Sequence, residues 1–380
     1  MALARIGVFG VLAAILIACG TSNVANDAQV SVSGTLALAD GNPASGVTVG
    51  LIEEPDGISA LVELTVTVTS VGMLCLTQTV AICKGSRKAT TDAEGRYTFK
   101  MNGSDSKNIL GNPAKFAVSA QLPSGAQVQT RFEISTATIA VPKATFWEPE
   151  KLSATPGPQS VDYSFSELRS KPKPKGYQVS VTQSVETIWS QPGALSGKFD
   201  ARAIADAKGE FHVVATVQQK VEEVTFTTTH HSPRIPLAGT AGAPPSRGAT
   251  CEVAGGTGPV PLMPCPFTDN TYSGAFPSQS CPQASPTPAS PKRCTANSWI
   301  SFDLGTARPI NAVFLHGLGM SSETNVETSD DGRTWTKRAK QKPAEFLMLA
   351  IPAGTTARYV RVRSGNDTDT IFGLSELSIW

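Results

Sequence analysis

Few residues in this chain could do covalent or acid–base chemistry, and their spacing argues against a shared task. Four histidines occur, His212, His230, His231 and His316. The adjacent pair His230-His231 closes a run of alternating apolar and polar residues, and neighbours on a strand point to opposite faces, so the two do not converge on one metal. No G-x-S-x-G elbow, H-E-x-x-H, P-loop or dinucleotide fingerprint occurs, and no catalytic constellation is expected. Seven cysteines are present. Cys19 ends an apolar N-terminal run; Cys75, Cys83, Cys251, Cys265, Cys281 and Cys294 form an even set with no C-x-x-C pair, which reads as disulfides rather than zinc ligands. Spacing suggests Cys75–Cys83, Cys251–Cys265 and Cys281–Cys294, although the last four admit three connectivities.

The elements that must position these residues are strands. Thr, Val and Ser recur in short alternating runs, Gly and Pro punctuate them, and helical periodicity is hard to find after residue 20, so the chain is expected to be all-β. At 380 residues it has room for two or three domains, each with its own core. The 32 Lys+Arg against 31 Asp+Glu give no clustered basic excess, which argues against a nucleic-acid partner. Residues 1–18 have a minimal positive region at Arg5 and an apolar run too short to span a bilayer comfortably. Residues 19–28 are a small polar tether, and residues 232–248 are a Pro/Gly/Ala linker.

Leu16-Ile17-Ala18-Cys19 resembles the lipobox of bacterial lipoproteins. That resemblance implies a signal peptide cleaved before Cys19, lipidation of Cys19, and an anchor in the bacterial cell envelope, at the outer membrane or cell surface. Gly20 after the cysteine does not favour inner-membrane retention. Asp40-Gly41-Asn42-Pro43, Gly46-Val47-Thr48-Val49 and Thr90–Phe99 with its Asp92–Gly95 turn are similar to the carboxypeptidase-regulatory-like family, which implies a prealbumin-type sandwich over 29–142. Strand-like runs across 143–231 read as a fibronectin/immunoglobulin-like sandwich.

The stretch after Asn297 carries Trp299–Gly305, Ser329–Trp335, Arg358–Arg363 and Leu374–Trp380 in an order that resembles the discoidin, or coagulation factor five/eight type C, family. This implies a galactose-binding-like jelly roll over 249–380, used in bacteria for carbohydrate binding. The complete expectation is a set of tandem β-sandwiches. Ser329–Trp335 also invites comparison with the sialidase Asp-box, but its glycine follows Asp331 one residue too early; a hairpin turn at Asp331-Gly332, with Trp335 packed below, accounts for it better. By resemblance, Asp269, Ser273 and Glu376 would hold a structural calcium, a hard cation that takes carboxylate and carbonyl oxygens. The family commonly has glycine where this chain has Asn270. Candidate ligand contacts by type are His316, Asn325, Arg358, Asn366 and Phe372, while Arg361 and Arg363 share a face and line the outside of the sheet.

These readings converge on a non-enzymatic, lipid-anchored surface protein. Its C-terminal domain would bind a glycan or glycoconjugate, with the other domains as spacers. Two alternatives remain open: a scaffold docking a protein partner at the cell surface, or a non-catalytic accessory to a hydrolase.

Overall fold

The computed structural model describes residues 24–54, 86–108, 111–168, 172–184, 186–254, 259–272, 299–317, 323–342, 344–364 and 374–380. Cys19, Cys75, Cys83, Cys281, Cys294, Ser273, Asn366 and Phe372 lie outside them. The described residues are all-β, with strands in several sheets and no α-helix. None of their helices is long and apolar enough to cross a membrane. The chain divides into two compact units: 1–150, 167–177 and 213–234 form one, and 151–166, 178–212 and 235–380 form the other. Residues 143–231, read from sequence as one sandwich, contribute to both. The strand Lys208–Val221 carries the chain from the second unit into the first.

In the first unit, Gln29–Ala37 pairs antiparallel with Arg96–Asn102 and parallel with Thr138–Ala140. A second sheet runs Val224–His231, Gln127–Glu133, Lys115–Gln121, Thr48–Glu54, Arg87–Thr90, every neighbour antiparallel. Tyr97, Phe99 and Met101 alternate inward on their strand and join Val30, Val32, Phe116, Ile139 and Phe226 in one core. The Asp92–Gly95 turn that launches this strand has Gly95 at φ +74°, where an added Cβ would lie 2.3 Å from the Leu36 carbonyl oxygen. Only glycine fits there.

In the second unit, a six-stranded antiparallel sheet runs Pro259–Leu262, Thr250–Ala254, Trp299–Pro309, Thr356–Ser364, Thr324–Ser329, Thr336–Gln341. A three-stranded sheet runs Phe346–Ala350, Ala312–His316, Glu376–Ile379. Between them lies the core, including Ile300, Phe302, Val313, Leu315, Val326, Leu349, Val360, Val362 and Leu377. The other face of the three-stranded sheet carries Phe314 and His316, which Trp189 meets edge-on at ring-centroid distances of 5.8 Å each. Arg202, held by Asp200 at 2.7 Å, places its guanidinium 5.6 Å from the Phe314 ring centroid.

Cys251 and Cys265 form a disulfide closing 14 residues, and both are buried. Loop-closure entropy for a ring of that size contributes about 3 kcal/mol. The paired substitution Cys251→Ser with Cys265→Ser should therefore lower the stability of this unit by roughly that amount, read as a drop in urea midpoint. The slope should be equal or steeper, because the uncrosslinked chain unfolds to a more expanded state.

Candidate functional site

The described ends of the predicted calcium set do approach one another. Glu376 ends fully buried on the last strand, and its Oε1 accepts the backbone N–H of Asn270 at 3.2 Å. Its Oε2 and the side-chain oxygen of Asn270 are buried without a partner among the described residues. Burial pushes the Glu376 carboxyl up to about 9; the Asn270 amide opposes that rise, and the charge of Asp269 adds to it. Asp269 itself is exposed and accepts the Thr271 amide at 2.8 Å. Asn270 has φ +68°, the left-handed conformation that glycine adopts freely and asparagine tolerates, so the departure from glycine leaves the turn intact. Orphaned carboxylate and amide oxygens are the donor chemistry of a hard cation. Among the described residues no group of three or more His, Cys, Asp or Glu is gathered.

The predicted ligand contacts do not gather. His316 is 1% exposed, and its Nδ1–H donates to the Ile188 carbonyl. Burial holds its imidazole down to about 4. Its ring lies among Trp189, Tyr272 and Phe346 and has no route to a ligand in solution. Asn325 is buried as well. Arg358 is committed to a bidentate pair with Asp303, Nε–Oδ1 2.8 Å and Nη2–Oδ2 2.7 Å, a geometry that holds the Asp303 carboxyl below the usual range. Hydrophobic neighbours on both sides of the Ala312–His316 strand explain the burial of His316, and no local pattern signals it. The adjacent pair behaves as strand alternation requires: His230 is buried and His231 half-buried.

Sequence reasoning set Arg361 on the outside of the six-stranded sheet but missed what gathers around it there. Register places Thr250, Asp303, Tyr359 and Ser329 in one transverse row, and Glu252, Ser301, Arg361 and Glu327 in the next. Cys251, Phe302, Val360 and Thr328, between those rows, point into the core. Arg361 pairs with Glu327, Nε–Oε2 2.7 Å. Its guanidinium lies 4.2 Å from the Trp335 ring centroid and 5.6 Å from that of Trp299. Trp335 was expected below the hairpin; it instead folds back over the outside of the sheet, because the stacked guanidinium covers one of its faces.

The turn that carries Trp335 is held firmly. Asp331 Oδ1 accepts the N–H of Thr334 at 2.7 Å, the N–H of Arg333 at 2.8 Å and the Ser329 hydroxyl at 2.9 Å. These donors, the Thr334 amide first, keep its carboxyl well below the usual carboxylate range. Gly332 takes φ +70°. Between this turn and the sheet lies a groove of about 310 Å³, bordered by Glu252, Ser301, Asp303, Arg333, Trp335 and Tyr359. A searchable signal existed: a tryptophan after an Asp-Gly turn, followed by a strand with arginine at alternate positions.

Residues 284–377 match the F5/8 type C domain. The strands Thr250–Ala254 and Pro259–Leu262 precede that match yet pair into the same sheet. No curated protein matches the sequence. Among solved structures, the CpGH89CBM32-6 module produced by Clostridium perfringens is 18% identical, with 30% of this chain and 81% of that one covered and a TM-score of 0.22. Chitosan-binding module 1 of a chitosanase/glucanase from Paenibacillus sp. IK-5 is 16% identical over 36% of this chain and 98% of that one, TM-score 0.26. The C-terminal domain of a chitobiase from Bacteroides fragilis is 19% identical over 30% and 77%, TM-score 0.22. The chain thus carries, at its C-terminal end, an F5/8 type C, discoidin-like domain.

Proposed function

We propose that this protein binds a carbohydrate or glycoconjugate through its C-terminal discoidin-like domain, without transforming it. The observation that carries the reading is the F5/8 type C match over residues 284–377, seated on a two-sheet frame. In the same proposal, lipid on Cys19 anchors the chain in the bacterial envelope and the residues before the domain act as a spacer. Weak sites then gain by avidity when many copies share one surface. Glu376 and Asn270, with Asp269 beside them, would hold calcium. Its charge would compensate the buried carboxylate and tie the loop before residue 272 to the last strand.

The full chain should give reproducible signals on a glycan array, and the absence of any signal, with calcium or with EDTA, would remove the reading. Calcium at a hundredfold excess over its dissociation constant should stabilise the protein by about 2.7 kcal/mol. That corresponds to a rise in Tm of about 5–10 °C for a unit of this size. Glu376→Gln keeps an acceptor for the Asn270 amide and should abolish the calcium shift while the variant stays folded in EDTA. A calcium shift that survives in this variant would place the ion elsewhere.

A further inference from the structure

The groove on the outward face of the six-stranded sheet is a built concavity that no predicted ligand residue except Arg358 approaches. We propose that it is a saccharide-binding site, selective for neutral or amino sugars over acidic ones; this rests on the carbohydrate-binding reading above and gives it a place and a specificity.

Three observations place it. Trp335 and Tyr359 offer aromatic surface at the groove, and such surface packs against the apolar C–H face of a pyranose ring. Glu252 and Ser301 offer oxygen acceptors at its floor, while the Arg333 side chain offers donors at its rim, the mixture that a hydroxyl-rich ligand needs. The aromatic platform is preorganised, since Arg361 supports Trp335 from beneath and is itself fixed by Glu327, and Asp331 fixes the turn. Little ordering remains to be done on binding.

Charge sets the selectivity. Asp303 is matched by Arg358, which leaves the carboxylates of Glu252 and Asp331 bordering the groove against one guanidinium, Arg333. A uronate or sialyl carboxylate would meet like charge, whereas a neutral hydroxyl or an ammonium finds acceptors. The volume of about 310 Å³ lies at the small end of ligand sites, which run from roughly 300 to 1,000 Å³. That suits a mono- or disaccharide rather than a long chain.

Arg358 apart, the groove is separate from the candidate ligand contacts that the structure describes. Thr250, Asp303, Tyr359 and Ser329 lie at one end of the sheet, and Asn325, paired with Arg363, lies at the other. Four residues of strand separate Asn325 from Ser329, roughly 13 Å. Asn366 and Phe372 follow Arg363 in sequence.

The test compares the full chain with Trp335→Ala, Glu252→Lys and Phe372→Ala on an array of neutral, amino and acidic glycans, with thermal melts as a folding control. Titration calorimetry follows with trisaccharides of glucose, glucosamine and galacturonic acid. Signals are expected on neutral or amino sugars. Trp335→Ala should weaken them at least tenfold, about 1.4 kcal/mol. Exposed Glu252→Lys should weaken the glucosamine ligand most, at unchanged Tm. Phe372→Ala should leave affinity within twofold. Glycan binding that ignores Trp335 and Glu252 but fails in Phe372→Ala would overturn the groove and leave the broader reading standing. Binding confined to acidic sugars would overturn the selectivity, and no binding at all would overturn both.

Discussion

Replacing Trp189 by alanine is expected to destabilise the second unit by about 3–5 kcal/mol, the range for removing a large aromatic from a packed interior. Trp189 is 6% exposed and lies against Phe314, His316 and Phe346, all on the face of the three-stranded sheet turned away from the main core. Each edge-to-face pair adds about 0.5–1.5 kcal/mol beyond its area. The neighbours are themselves large and held by strand pairing, so collapse into the void is limited and the upper half of the range is favoured. Trp189→Phe preserves an edge-on ring and should lose less than half as much. Urea titration followed by far-ultraviolet dichroism reads the difference. A loss under about 1 kcal/mol would mean that this face does not need its cover. The same geometry implies that a piece beginning at residue 246 would lack Trp189 and Ile188 and would present Phe314 and His316 to water.

Acid should loosen the first unit through its buried histidines. His230 is 3% exposed, and burial holds its imidazole down to about 4, against the pull of the Thr145 carbonyl. Unfolded, it would titrate near 6.5. The folded pKa is the depressed one, so the unfolded chain binds more protons below 6.5. Stability is then complete above 6.5 and lost as pH falls toward 4, by at most about 1.4 kcal/mol per unit. Between pH 6.5 and 5 that amounts to about 1.6 kcal/mol, and His231, whose pKa burial also lowers to about 4, pushes the same way. In the second unit His316 has the same sign but Glu376, raised to about 9, has the opposite one: it gains stability as pH falls below its folded value. The two offset each other, so the first unit gives the clean measurement. Hydrogen-exchange protection factors for peptides within 115–133 and 224–231 should fall between pH 6.5 and 5, and His230→Gln should flatten the fall by about half. Equal slopes in both proteins would rule out His230 as the titrating group.

Much of the frame was legible because short-range physics wrote it. The Asp92–Gly95 and Asp331–Gly332 turns, the inward alternation of Tyr97 and Phe99, and the order of strand signatures after Asn297 are each decided by residues within one turn or one strand of each other. What could not be read depends on distant partners. His316 sits in an apolar run either way, and its burial comes from Ile188 and Trp189, more than a hundred residues earlier. Trp335 goes outward because Arg361 stands ready on a strand paired two places away, a fact of register and not of local pattern. The orphaned oxygens of Glu376 and Asn270 likewise appear only once the last strand has been laid beside the 267–272 loop.

Neither compact unit is one continuous stretch of chain, and this constrains how the molecule is made. Residues 127–133 stay an open edge until 224–231 arrive, and the Ala312–His316 strand has one side bare until Glu376–Ile379 are added. During synthesis from the N-terminus, the first unit cannot close before residues 213–234 have emerged, and the second waits for residues 376–379. Bare strand edges are the sites where partly made chains pair with one another. A chain of this design gains from being kept extended until it is whole. A stop codon just before residue 376 should therefore yield aggregate and not a slightly shorter binder.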